Sequence, residues 1–296
     1  MSAGFSEGFT AGSPARQHPG FHPGERQAQA LAGVHSSSAG IRAAMPMQHR
    51  DFFAGLRYVF AATLDADGQP RAQAWSGAPG FIDSPGANSL LIKVPAQAAL
   101  SLHPGEPIGL LGLDLGNRRR NRANGVVRGT DQGALLVDVR ESFGNCPQYI
   151  TLRDVREAPA GPAAARSFEG LQEAALVAGA DTFFIATSGG VHGVDISHRG
   201  GPPGFVGIAG DTLTVPDFNG NRYFNTLGNL LLEPRAALLF VDFEKGDVLE
   251  LLGSVEIDWS GVPAVPGQAG GRGWRFTVAR GTLHKGALGL RWTRRG

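Results

Sequence analysis

The feature that most constrains this chain is that it says nearly the same thing twice. YVFAATLDADGQPRAQAWSGAPGF, starting at Tyr58, is echoed by TFFIATSGGVHGVDISHRGGPPGF, starting at Thr182. Thr63 aligns with Thr187 and Gly80 with Gly204, each 124 residues on. Further along, GLLGLDLGNRRRNRANG is matched by ALLFVDFEKGDVLELLG, with Asp114 on Asp242 and Gly125 on Gly253, each 128 residues on. Order is kept across both blocks, so chance is a poor explanation. A period this long implies two domains rather than a solenoid, and 296 residues leave room for both.

Each copy reads as a series of strands. Residues 58–64 and 182–187 are apolar, β-branched or aromatic, and turn residues follow at 65–68 and 188–190. Second strands are expected at 69–77 and 192–200, and short third strands at 90–94 and 212–215. The second copy adds a strand pair at 236–242 and 248–257 and a further strand at 272–283. Its segment 222–232 has helical spacing and stops before Pro234. The 44 Gly and 19 Pro supply the turns this many strands need. The expectation is a mainly β chain with short helices, arranged as two small barrels. Residues 1–40 read as a flexible arm with a short helix near 25–32. Residues 41–155 form the first domain and 156–296 the second, with a linker at 157–164. A helix capped by Ser167 should follow, with Phe168, Leu171, Ala175 and Leu176 on one face.

Composition excludes several function classes. Apolar residues make up 42% and charged residues 18%, a profile with enough apolar side chains for a core. A net charge of +1 offers no field for nucleic acid or an anionic membrane. No apolar run spans a bilayer. The single Cys146 rules out a disulfide framework and a thiolate zinc site, and points to a reducing, cytoplasmic setting. There is no GxGxxG, no GxxxxGK[ST] and no HExxH, and no His/Cys cluster has metal-ligand spacing.

Two stretches of the second copy are polar where a barrel does not require it. One contains Ser197, His198, Arg199 and Gly200. The other contains Asn221, Arg222, Asn225, Thr226 and Asn229 at the start of the expected helix. A helix N-terminus offers free N–H groups and partial positive charge, which suits phosphate, and Arg222 can add a bidentate contact. Gly200 permits close backbone approach, and His198 is the candidate proton donor. The first copy has Trp75-Ser76 in place of His198-Arg199 and no equivalent polar turn, so only one half carries the site. Trp75 reads as core or interface, Cys146 as a buried structural thiol, and Arg118–Arg120 with Arg122 as a solvated strand split over two faces.

Residues 197–205 (SHRGGPPGF), 219–230 (NGNRYFNTLGNL) and 233–247 (EPRAALLFVDFEKGD) resemble the pyridoxamine 5′-phosphate oxidase-like flavin-nucleotide-binding family. Residues 143–150 (FGNCPQYI) and 286–292 (GALGLRW) are similar to a tandem subgroup of it. The resemblance spans roughly residues 20–296 and implies tandem FMN-binding split β-barrels. It places flavin phosphate contacts at 222–229, contacts nearer the ring at 197–200, and flavin at an interface between barrels, paired within one chain or in a homodimer. Where pyridoxamine-phosphate oxidases carry Ser-Arg-Lys, this chain has Phe224-Asn225-Thr226, which speaks against the vitamin B6 reaction. The expected function is an FMN-dependent oxidoreductase taking hydride from NAD(P)H or a small organic donor. The alternatives are a flavin carrier or sensor, or a barrel that holds deazaflavin or haem.

Overall fold

A computed structural model describes residues 20–131, 133–144, 146–161, 164–220, 222–263 and 270–295. The described residues begin with α1 (Pro23–Leu31) and α2 (Met47–Ala54). The first half then forms β1 (Tyr58–Leu64), β2 (Pro70–Ser76), β3 (Ile82–Gly86), β4 (Ser89–Lys93), α3 (Ala96–Leu100), β5 (Pro107–Asp114), β6 (Arg119–Asp131) and β7 (Ala134–Gly144). Next come β8 (Arg153–Glu157), β9 (Ala164–Glu169) and α4 (Ala174–Gly179). The second half forms β10 (Thr182–Ser188), β11 (Val194–Gly200), β12 (Gly207–Ala209), β13 (Thr212–Pro216), α5 (Asn225–Leu232), β14 (Arg235–Asp242), β15 (Asp247–Val262), β16 (Gly271–Lys285) and β17 (Leu290–Arg294).

The chain is mainly β with short helices. Its two large antiparallel sheets follow one strand order: β2-β1-β5-β6-β7-β4-β3 in the first half and β11-β10-β14-β15-β16-β13-β12 in the second. Thr63 and Thr187 hold equivalent places, pairing with Arg71 and Asp195 across their hairpins.

The apolar strands are continuous rather than alternating because both of their faces are covered. Along β1, Val59 and Ala61 enter the core of the first half, while Tyr58, Phe60 and Ala62 enter a core shared between the halves. Along β10, Phe183 and Ile185 enter the core of the second half, while Phe184 and Ala186 enter the shared one. At its centre Phe60 and Phe184 stack with ring centroids 3.6 Å apart. Trp75 is buried in the first half's own core and donates Nε1–H to Gln73 Oε1 at 3.1 Å.

The sequence reading needs two corrections. The helix expected from Ser167 starts later: residues 164–169 are β9, and only α4 is helical. Beyond Val278 the edge of β16 is no longer covered by β13, and β9 pairs its open backbone groups over residues 280–285. The arm is also not free over its described part. Helix α1 packs on α5, where Gly228 makes room: a Cβ there would lie 2.6 Å from the backbone of Glu25. Residues 1–19 lie outside the described residues. The stretch expected as a linker follows β8, which pairs with β17, so the end of the chain is tied to the junction between halves. Among the described residues no helix is long and apolar enough to cross a membrane.

An ion pair between half-buried Arg71 on β2 and buried Glu250 on β15 bridges the halves. Glu250 on β15 accepts from Arg71 Nε at 3.0 Å, Arg71 Nη2 at 2.5 Å and Ala72 N–H at 2.8 Å. Arg71→Met leaves that carboxylate buried without its cation. The expected cost is about 3 kcal/mol, read as a lower urea midpoint at unchanged denaturant slope.

Candidate functional site

Period-2 alternation on β6 places Arg120, Arg122 and Asn124 on one face, turned toward β11 of the other half. Arg122 is 3% exposed and ends inside the second half. Its Nη1 donates to Asp195 Oδ1 and Asn225 Oδ1, both at 3.2 Å, and its Nη2 donates to Ser197 Oγ at 2.5 Å. Thr226 Oγ1 donates to Ser197 Oγ at 2.8 Å. Asn229 Nδ2 reaches Thr187 Oγ1 at 3.0 Å and Asp195 Oδ2 at 3.2 Å, and Asn124 Nδ2 reaches Asp195 Oδ1 at 2.7 Å.

This network has an acidic end. Glu25 on α1 accepts from Asn225 Nδ2 and, at 3.0 Å, from His22 N–H. Burial, then the Asp195 charge, raises the Glu25 carboxyl to about 8. Burial and Asp195 likewise raise Glu141 to about 7.

The other end is basic and open. A cleft is lined by Arg120, Arg122, His198 and Arg199, with Gly200 and the aromatic rings of Tyr149, Phe205 and Phe218. It adjoins a second depression lined by Arg222, Arg272 and Phe224. Among the described residues no carboxylate lines either one. Arg199 Nη1 donates to Asp217 Oδ1 at 2.6 Å, and the same carboxylate takes Arg272 Nε at 2.9 Å and Nη2 at 2.6 Å. Two guanidinium groups therefore share one counter-charge. Arg120 Nη1 lies 2.9 Å from His198 Nδ1. Burial, then Arg122, brings Arg120 down to about 10, still a cation at neutral pH.

Several donors on this wall are buried and unsatisfied: Arg120 Nε, Arg122 Nε, Arg199 Nε and Nη2, and one ring nitrogen of His198. Buried polar groups in folded proteins almost always have partners. A cluster of orphaned N–H groups on a cleft wall therefore marks a place for acceptors, and their charge selects an anion. Gly200 belongs to the same wall because a Cβ there would lie 2.1 Å from the Tyr149 carbonyl oxygen. Tyr149 itself has φ +62, in the left-handed region, and its ring rests 5.2 Å from Phe218.

The residues singled out from the sequence divide between the two ends. His198, Arg199 and Gly200 line the cleft, while Ser197, Asn225, Thr226 and Asn229 are buried in the network with their side chains bonded to one another and to Arg122. Arg222 is exposed on the neighbouring depression, and Asn221 lies outside the described residues. The start of α5, expected to face a phosphate, faces the Glu25 carboxyl here.

Two further readings are corrected. Arg120 and Arg122 are not part of a solvated strand: strand alternation splits 118–122 over two faces, but Arg122 is buried and half-buried Arg120 lines the cleft beside it. Cys146 is exposed and lines the cleft, together with Gln148 and Tyr149 from the segment between β7 and β8. Arg120, Arg122, Tyr149 and Asp217 are the site residues that motif reading missed. The i, i+2 spacing of the two arginines was the available signal.

No family model matches the chain, and no curated protein matches it. Among solved structures it is similar to a putative pyridoxamine 5′-phosphate oxidase from Lactobacillus delbrueckii, at 17% identity and TM-score 0.28, over 34% of this chain and 94% of that one. A FAD-binding protein from Mesorhizobium loti is 11% identical at TM-score 0.28, over 40% of this chain and 97% of that one. A Clostridium acetobutylicum protein of the pyridoxinephosphate oxidase family, related to general stress protein 26, is 17% identical at TM-score 0.27, over 41% and 90%. Each likeness spans less than half of this chain, so the chemistry has to come from the cleft itself.

The acidic end makes stability depend on pH. A carboxyl held at about 8 in the folded chain, against an ordinary value of 4.5, keeps a proton that the unfolded chain releases. Its contribution is present at low pH and is lost as pH rises from about 4.5 through about 8. Glu25→Gln is expected to flatten the decline in stability across that window by up to about 1.4 kcal/mol per pH unit. Denaturation midpoints measured at several pH values check this, and an unchanged slope would place the ionisation elsewhere.

Proposed function

We propose that this chain binds a flavin nucleotide, FMN, in the cleft between its halves and works as an FMN-dependent oxidoreductase. The observation that carries the proposal is the set of unsatisfied, buried guanidinium and imidazole N–H groups of Arg120, His198 and Arg199 on a wall without carboxylates. A ligand that completes this wall is anionic and rich in acceptors. The aromatic faces of Tyr149 and Phe218 suit a flat one. The sequence resemblance narrows that description to a flavin nucleotide.

Each residue then has a task. Arg120, His198 and Arg199 hold the anionic or carbonyl-bearing edge of the ligand. Asp217 fixes the direction of Arg199 by accepting from its Nη1. Arg122, Ser197 and Thr226 lock β11 and α5 to the first half, so the cleft wall is preorganised rather than assembled on binding. Cys146, Gln148 and Tyr149 form one side of the cleft. The flavin, when bound, supplies hydride or electron transfer between a reduced nicotinamide or small organic donor and an acceptor.

The absorbance spectrum of the purified chain, before and after FMN and then anaerobic NADH or NADPH, tests this reading. Flavin bands that bleach with a reductant and return in air support the oxidoreductase. Flavin bands that do not bleach leave a carrier, and a Soret band in place of flavin assigns haem. Failure to take up FMN at all removes the flavin. Arg199→Met is expected to weaken FMN by about 1–3 kcal/mol, read by quenching of flavin fluorescence. Arg222→Ala, on the neighbouring depression, separates the two ends of the ligand: a comparable loss extends the site to that depression.

A further inference from the structure

The halves meet over the cleft in a contact that settles which way a histidine points its proton. Arg120 Nη1 lies 2.9 Å from His198 Nδ1. A guanidinium can only donate and stays protonated, so Nδ1 of His198 is the acceptor. A neutral imidazole that accepts at Nδ1 carries its proton on Nε2. That Nε2 is buried and has no partner. The ring is 7% exposed and sits edge to face with Phe184, centroids 5.8 Å apart. The charges around it are Arg120, Arg199 and Arg153, all positive, and together with burial, the largest cause, they hold the ring well below the usual imidazole range.

We propose that Arg120 is a positioning residue that locks His198 as the Nε2–H tautomer and so makes it a hydrogen-bond donor toward the ligand. His198 then cannot accept a proton at Nε2, and its role on this wall is to bind acceptors. With Arg120 Nε and Arg199 Nε and Nη2, every unsatisfied nitrogen on this wall is a donor. The ligand edge that fits is a row of acceptors alone: carbonyl oxygens, a deprotonated ring nitrogen or an oxyanion. A ligand edge bearing an N–H or amino group at this place leaves two donors facing each other. The choice of a flavin as that ligand rests on the preceding proposal. The tautomer is a property of the protein alone.

Long-range proton–nitrogen correlation spectra of the full chain, with ¹⁵N-labelled histidine rings and no ligand, test the lock, and His198→Gln identifies the signals. The expected wild-type pattern is a single Nε2–H tautomer at neutral pH. Arg120→Met is expected to lose it, with tautomers averaging or the ring charging, and Arg120→Lys to keep it, since an ammonium also donates. In FMN titrations Arg120→Met is expected to weaken binding tenfold or more, with most of it recovered in Arg120→Lys. An Nδ1–H or imidazolium pattern in the wild type, or an unchanged Nε2–H pattern in Arg120→Met, overturns the proposal. If Arg120→Met does not fold, the wild-type and Arg120→Lys spectra decide it. A locked tautomer in a chain that takes up no FMN upholds the lock and removes the flavin.

Discussion

A buried guanidinium cannot stand alone, and Arg122 has its acceptors in the other half of the molecule. Removing its charge from water is costly, and only good geometry with several acceptors offsets that cost. Asp195, Ser197 and Asn225 provide the geometry. The network fixes β6 against β11 and the start of α5, and the strand register then follows to Arg120 and His198 two residues and one residue away. The Phe60–Phe184 stack lies in the apolar core shared between the halves, but apolar contact is not directional. The polar network is what specifies how the two sheets meet.

Charge is sorted along this junction. At one end Glu25, Glu141 and Asp195 crowd together, two of them with raised carboxyl pKa values, and α1 closes that end by packing on α5. At the other end Arg199 and Arg272 share a single carboxylate, Asp217, Arg120 lies against His198, and the surface stays concave. Arg122 sits between them. An anionic ligand is therefore attracted to the basic end of the network. This is why the expected phosphate segment at the start of α5 and the observed cationic wall, though adjacent in space, differ in character.

Much of the fold was legible in the sequence. The repeat located equivalent strands, and the turn residues after Thr63 and Thr187 located two hairpins, because these features depend on neighbours only a few residues apart. Residues 164–169 were not legible: their composition suits a helix, and only the uncovered edge of β16 draws them into a sheet. Helix α1 was expected near residues 25–32, but its docking onto Gly228 depends on a partner some 200 residues away in the chain.

The site divides in the same way. The sequence by itself determined that the second half carries the polar stretch, and His198, Arg199 and Gly200 were read from it as residues of one place. Only the tertiary structure decided that the first half completes the wall with Arg120, Arg122 and Tyr149, and that Arg222 lies outside it. The reason is physical. Local pattern sets which face of a strand a side chain takes, since the pleat has period 2. Which faces become buried, and which charges then need partners, is set by the contact between two sheets more than a hundred residues apart in sequence.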